Sequence, residues 1–150
     1  MKKTSLDIQS LDAYKEALRA VGFRCTVPRL VVLDHLHRTS GPSSHAELAD
    51  ALEGRGFDRA TLYRVLVDLT EAGLLTRTDL GDHTWRFELR SGSGNASHAD
   101  DHPHFVCIDC GGISCLEGLS VKVSDKSKAP RAVRDKEVQI QVKGRCDECA

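Results

Sequence analysis

Aromatic side chains are scarce in this 150-residue chain, which has one Trp, two Tyr and four Phe, 5% of the total. With so few, an apolar interior must be built from aliphatic residues, and small domains of that kind often need a further staple. Positive charge is not in excess either. The formal net charge is −1, and residues 1–90 hold 13 Lys and Arg against 13 Asp and Glu. Composition therefore does not mark a nucleic-acid-binding protein, and any basic surface has to be a local arrangement. Also missing is an apolar run approaching the ~18 residues of a membrane-spanning helix. The start, Met1-Lys2-Lys3-Thr4-Ser5, has no apolar signal-peptide segment, so the expected location is the cytoplasm. No Gly-rich phosphate loop and no Ser/His/Asp set is present, which argues against an enzyme.

What the chain does have is cysteine, six in all. In a reducing compartment these favour metal binding over disulfides. Cys107-Ile108-Asp109-Cys110 is answered, 35 residues on, by Cys146-Asp147-Glu148-Cys149. Each pair can supply two thiolates from one tight turn, and four thiolates close a tetrahedral Zn²⁺ site with no open position. A redox dithiol would need a thioredoxin-like βαβ setting, which the pattern lacks. One structural Zn²⁺ per chain is expected on Cys107, Cys110, Cys146 and Cys149, and folding of this half should depend on it. His102, His104 and Cys115 form a weaker pattern. They are either a solvated histidine stretch beside a buried thiol or the makings of a second site. Cys25 is read as a small buried thiol.

Along the chain, Leu11, Tyr14, Leu18 and Val21 mark one face of a helix that stops at Gly22. Thr26 is the expected N-cap of a second helix, with Pro28 in its first turn and Leu30, Val32, Leu33 and Leu36 inward. Ser44-His45-Ala46-Glu47 has the form of a capping box and opens a third helix. Asp58 is expected to cap a fourth, with Phe57 and Leu62 as a staple, Leu62, Val65, Leu66 and Leu69 inward, and Gly73 just past its end. Arg59, Tyr63 and Arg64 fall outside that stripe. Leu74–Thr78 and Thr84–Leu89 then read as two strands of a hairpin. Helices followed by a ribbon make a winged helix-turn-helix pattern, in which the fourth helix enters the major groove of DNA. On that pattern Arg59, Tyr63 and Arg64 are either an ordinary solvated face or contacts to phosphates and base edges.

Ser91–Ser97 has the composition of a flexible linker. Beyond it, Phe105–Cys107, Gly112–Leu116 and Glu137–Lys143 read as strands, while a helix between 117 and 132 is doubtful. A three-stranded sheet of this size leaves an edge and an apolar face open, and a homodimer would cover both. The expected organisation is α+β. A winged-helix DNA-binding domain over 1–90 and a hinge linker over 91–101 precede a small α/β dimerisation and metal-binding domain over 102–150.

Several stretches together resemble the ferric uptake regulator (Fur) family of bacterial metal-dependent repressors. They are Thr26-x-Pro28-Arg29, Ala60-Thr61-Leu62-Tyr63-Arg64-Val65-Leu66, Glu71-Ala72-Gly73-Leu74, His102-x-His104-x-x-Cys107-x-x-Cys110-Gly111 and Gly144-x-Cys146-x-x-Cys149. The resemblance implies repression through AT-rich palindromic double-stranded DNA, dimerisation by the second domain and a sensory metal site at the hinge. It implies Glu88, His102, His104 and Cys115 as regulatory ligands, and Arg24 and Tyr63 as DNA contacts. His45 lies two residues from a position that is often a histidine ligand in iron-responsive members. Those members also carry a carboxylate where this chain has Cys115, and a thiolate shifts preference toward Zn²⁺. The resemblance is thus strongest to zinc uptake regulators. An iron- or nickel-responsive repressor, or a zinc-ribbon module without metal-regulated DNA binding, are the alternatives.

Overall fold

The computed structural model describes residues 8–39, 41–90, 103–116, 118–122, 128, 130–134, 138 and 140–150. The chain divides into two compact units, Met1–Ser93 and Gly94–Ala150.

The first unit opens with helix α1 (Ile8–Ala20), which turns Tyr14 and Leu18 inward. Its end is a Schellman turn. Phe23 N–H donates to the Leu18 carbonyl at 2.8 Å and Gly22 N–H to Arg19 at 3.0 Å, with Gly22 at φ 79° where a side chain would be strained. Helix α2 (Val27–Arg38) buries Val31, Val32, Leu33 and Leu36. Thr26 occupies its N-cap position, but its side chain makes no capping bond. The start is defined instead by extended backbone at Thr26 and by a proline in the first turn.

Strand β1 (Ser43–Ser44) leads directly into helix α3 (His45–Ala51). The capping box is complete. Glu47 N–H donates to Ser44 Oγ at 3.2 Å, and Ser44 N–H donates to the Glu47 carboxylate at 2.7 Å. Helix α4 (Arg59–Glu71) starts where Thr61 N–H donates to the Asp58 carboxylate at 2.7 Å, and it buries Leu62, Val65, Leu66 and Leu69. It ends in a second Schellman turn, Leu74 N–H to Leu69 at 2.9 Å and Gly73 N–H to Thr70 at 3.0 Å.

Strands β2 (Leu75–Asp79) and β3 (Trp85–Leu89) pair antiparallel, Leu75 opposite Leu89 and Asp79 opposite Trp85. The expected two-stranded ribbon is in fact three-stranded, in the order β1-β3-β2, because Ser43 and Ser44 pair with Phe87 and Arg86. This short antiparallel pairing anchors the ribbon to the N-terminus of α3. Phe87 and Leu75 close a core otherwise supplied by all four helices. The arrangement is a helix-turn-helix, α3 and α4, followed by a wing.

The second unit is a sheet of three strands, β4 (His104–Cys107), β5 (Ile113–Cys115) and β6 (Gln141–Gly144), in the order β5-β4-β6. β4 and β5 form a short antiparallel hairpin, whereas β4 and β6 run parallel, with Cys107 opposite Gly144. A parallel partner requires a long crossover, and that crossover carries helix α5 (Arg131–Arg134). The strand expected over 137–143 lies further along among the described residues, at Gln141–Gly144, with Val138 and Ile140 outside it. Residues 137 and 139, the 91–101 linker and His102 lie outside the described residues.

Candidate metal centre and DNA-facing helix

The four-cysteine cluster is a product of the β4·β6 pairing. The ladder continues one step beyond the strands, with Ile108 N–H on the Gly144 carbonyl at 2.8 Å, so the two Cys-x-x-Cys turns emerge side by side. The first turn closes through Gly111 N–H to the Cys107 carbonyl at 3.0 Å, with Gly111 at φ 70°. The second closes through Cys149 N–H to the Cys146 carbonyl at 3.0 Å. Peptide groups also reach the sulfurs: Gly112 N–H to Cys110 Sγ and Cys146 N–H to Cys107 Sγ, each at 3.4 Å. All four Sγ atoms lie within 4.8 Å of one another, and Cys110 and Cys146 are 3.8 Å apart. Outside the cluster, Arg145 of one turn pairs with Asp109 of the other at 2.6 Å.

Electrostatics divide the thiols. Backbone N–H groups of Cys110, Cys146 and Asp109 hold the Cys107 thiol down at about 6. Hydrogen bonds with the side chains of Cys146 and Cys110 push Cys149 up to about 12. Several sulfurs this close cannot all ionise without a cation among them. A donor set of four thiols, with no carboxylate or imidazole in it, fits a soft, tetrahedral structural metal ion, whose uptake would release the remaining protons.

His104 and Cys115 face each other across β4 and β5. Directly opposed residues of an antiparallel pair project to the same face, and here their ligand atoms lie within 4.8 Å. That register is extended by Leu116 N–H to the Pro103 carbonyl at 2.9 Å, and on the β6 side of β4 His104 N–H donates to the Ile140 carbonyl at 3.3 Å. His104 is 1% exposed. Glu88, in the first unit, is a buried carboxylate near the end of β3, opposite Thr76.

On α4, Tyr63 is half exposed and Arg64 is exposed; the Asp58 carboxyl before it is held below its usual range chiefly by hydrogen bonds from Thr61, and least by the charge of Arg64. Arg59 is committed elsewhere, since its guanidinium pairs with Asp50 of α3. Arg24 is exposed between α1 and α2, and its carbonyl accepts from Arg29 Nη1 at 3.1 Å. Arg29 itself lies over the Phe23 ring at 4.3 Å and pairs with Asp68. Cys25 is half-buried against the helical core, its thiol 3.6 Å from the Lys15 carbonyl. Sequence reasoning missed the contact of His45 with Tyr63, a ring pair 18 positions apart that no local pattern signals.

A model of the ferric uptake regulator family matches residues 20–143. The ferric uptake regulation protein of Klebsiella pneumoniae is 30% identical over 138 residues, covering 88% of this chain and 83% of its own. The solved ferric uptake regulator of Vibrio cholerae is 28% identical with a TM-score of 0.57, covering 88% of this chain and 98% of its own. A zinc uptake regulator solved with zinc and DNA superposes with a TM-score of 0.61 over 94% of this chain and 93% of its own. At 20% identity it bears on the fold alone. Helix-turn-helix, wing, four-cysteine cluster and these likenesses converge: the chain belongs to the ferric uptake regulator family, and it is a metal-responsive, DNA-binding transcriptional regulator, not an enzyme.

Proposed function

We propose that this protein is a zinc-responsive, dimeric repressor of metal-homeostasis genes, acting in the cytoplasm. The observation that carries the metal assignment is Cys115 facing His104, with ligand atoms within 4.8 Å. A thiolate beside an imidazole suits Zn²⁺, whereas Fe²⁺ and Mn²⁺ favour sets rich in carboxylate and imidazole. On this reading Cys107, Cys110, Cys146 and Cys149 hold a structural Zn²⁺. Glu88, His102, His104 and Cys115 are the regulatory ligands, drawn from both sides of a 91–101 linker that joins a 1–90 DNA-binding domain to a 102–150 dimerisation domain.

Dimerisation is supported by the second unit's short edge strands and by its exposed Ile108, Leu119, Val121 and Val138. A two-fold dimer calls for a palindromic operator, AT-rich by analogy with the family. Tyr63 and Arg64 would read it from α4, with Arg24 beside them and Arg59 reaching phosphate only by exchanging Asp50 for it. Ligands from both sides of the linker restrict the mutual placements open to the two reading helices. Affinity then rises only as far as the metal discriminates between those placements. If about 1% of the metal-free dimer is competent, the gain in apparent DNA affinity has a ceiling of about 100-fold.

The test is a titration of operator DNA, selected from random duplexes, against Zn²⁺, Fe²⁺ and Mn²⁺ at matched free concentrations. A clear preference for Zn²⁺ is expected, and an equal response to Fe²⁺ overturns the assignment. Cys115→Ser should blunt the zinc response, and a normal response in that variant removes Cys115 as a ligand. A second reading, an iron-responsive repressor, is favoured by the ferric uptake regulation protein of Klebsiella pneumoniae at 30% identity. It predicts the opposite order of response in the same titration.

A further inference from the structure

We propose that His45 is a positioning residue for Tyr63, setting the rotamer in which that tyrosine meets DNA. The inference rests on α4 being the DNA-reading helix. His45 is the first residue of α3, directly after the capping serine, so the Ser44–Glu47 box fixes the backbone from which its ring departs. Its Nε2 lies 2.8 Å from the carbonyl oxygen of Arg59, a contact that requires the proton on Nε2 and so selects one tautomer. With one end anchored, the imidazole meets the Tyr63 ring at 5.4 Å between centroids and 72° between planes. That edge-to-face geometry is the one aromatic quadrupoles favour.

Tyr63 is 50% exposed and off the buried stripe of α4, so packing in the core does not choose its rotamer. Among the described residues its ring neighbour is His45. Arg59, whose carbonyl anchors the imidazole, has its guanidinium on Asp50, so α3 grips the first turn of α4 at two points. In a helix-turn-helix the N-terminal part of the second helix reaches base edges. A tyrosine already held there loses less side-chain freedom on binding than one that must be ordered by the DNA. His45 therefore acts through Tyr63 and needs no contact with DNA of its own.

The experiment is a double-mutant cycle on the full-length, metal-loaded protein, read by binding to an operator that the wild type selects from random duplex DNA. His45→Ala is expected to weaken binding by about 3- to 10-fold, the range of an aromatic pair. In a Tyr63→Ala background the same change should have little further effect. The base-by-base selectivity of His45→Ala should lose contrast at the position that Tyr63→Ala loses, and the Tyr63 ring-proton resonances should move. His45→Phe keeps a ring edge and should recover part of the loss. His45→Gln keeps a donor for the Arg59 carbonyl without the ring and should not, and this pair gives the same comparison if the alanine variant folds poorly. Additive losses from His45→Ala and Tyr63→Ala overturn the positioning role and leave the reading of α4 standing. A Tyr63→Ala protein that binds as tightly as wild type overturns both.

Discussion

Fifteen buried apolar residues, from Tyr14 to Phe87, form one cluster in the first unit, whereas among the described residues of the second the buried apolar side chains are Pro103 and Cys107. The first unit is thus a conventional small core, aliphatic and supplied by four helices and a wing. The second has a sheet of strands three or four residues long, a buried histidine and a cluster of thiols. Burial of apolar surface can account for the first. For the described residues of the second the same force has little to act on, and there the proposed metal ligation and dimerisation would supply what a core does elsewhere. The scarcity of aromatic residues is consequently felt unequally. Leucines make up for it in the first unit, and cysteines in the second.

The sharpest way to break this contrast is to remove the metal ligands. Cys107→Ser, or chelation of the wild type, should unfold the second unit while the helical signal of the first persists. The free energy at stake is on the order of 10–16 kcal/mol, the apparent range for structural Zn²⁺. Circular dichroism combined with limited proteolysis reads both halves at once, and joint collapse would show that the two do not stand on separate footings. The converse change is Leu66→Ala, at a fully buried position of α4. It should cost about 2–5 kcal/mol in denaturant unfolding of the first unit while the metal content per chain stays unchanged. Ser44→Ala deletes the capping box and should cost about 0.5–2 kcal/mol, read as a lowered thermal midpoint of the same unit only. The smallest effect concerns the wing. Hydrogen bonds from Arg86 hold the Asp82 carboxyl down at about 2, against an ordinary 3.8. Its contribution is complete above the unfolded value and lost as pH falls through the folded one. The small gap between wild type and Asp82→Asn should therefore be present at neutral pH and close between 3.8 and about 2.

The contrast also explains what could be read in advance. Features of the first unit were legible because their signals are local. Ser44 and Glu47 cap within four residues, Asp58 caps Thr61, and Gly73 follows the last inward leucine of α4 by four positions. The four cysteines were legible for the same reason, each pair being a short motif in its own right. What escaped needs pairing across the sheet. β1 is two residues long, too short for any periodicity, and exists because Ser43 meets Phe87. The facing of His104 and Cys115 depends on the β4·β5 register, which no spacing rule predicts; the family resemblance, not the local pattern, had put the two in one ligand set. The alternation over 137–143 promised a longer strand than Gln141–Gly144, because alternation reports which residues suit a pleated surface and not how far a partner strand extends. Thr26 had the right position and residue type for a cap, yet a proline in the first turn does that work without its side chain.

The parallel pairing of β4 with β6 has a consequence in time. Cys146 follows Cys110 by 36 positions. At ~5–20 residues per second of synthesis that is an interval of about 2–7 s. Throughout it the first unit is already complete, while Cys107 and Cys110 wait with half a binding site and without the Cys146 N–H that later reaches Cys107 Sγ. Two thiols at the end of a β4·β5 hairpin that still lacks β6 are open to oxidants and to any soft cation that will accept two ligands. The helical unit thus has all its sequence before the four-cysteine cluster does, and for those seconds the first thiol pair meets the surrounding metals with half of its ligand set.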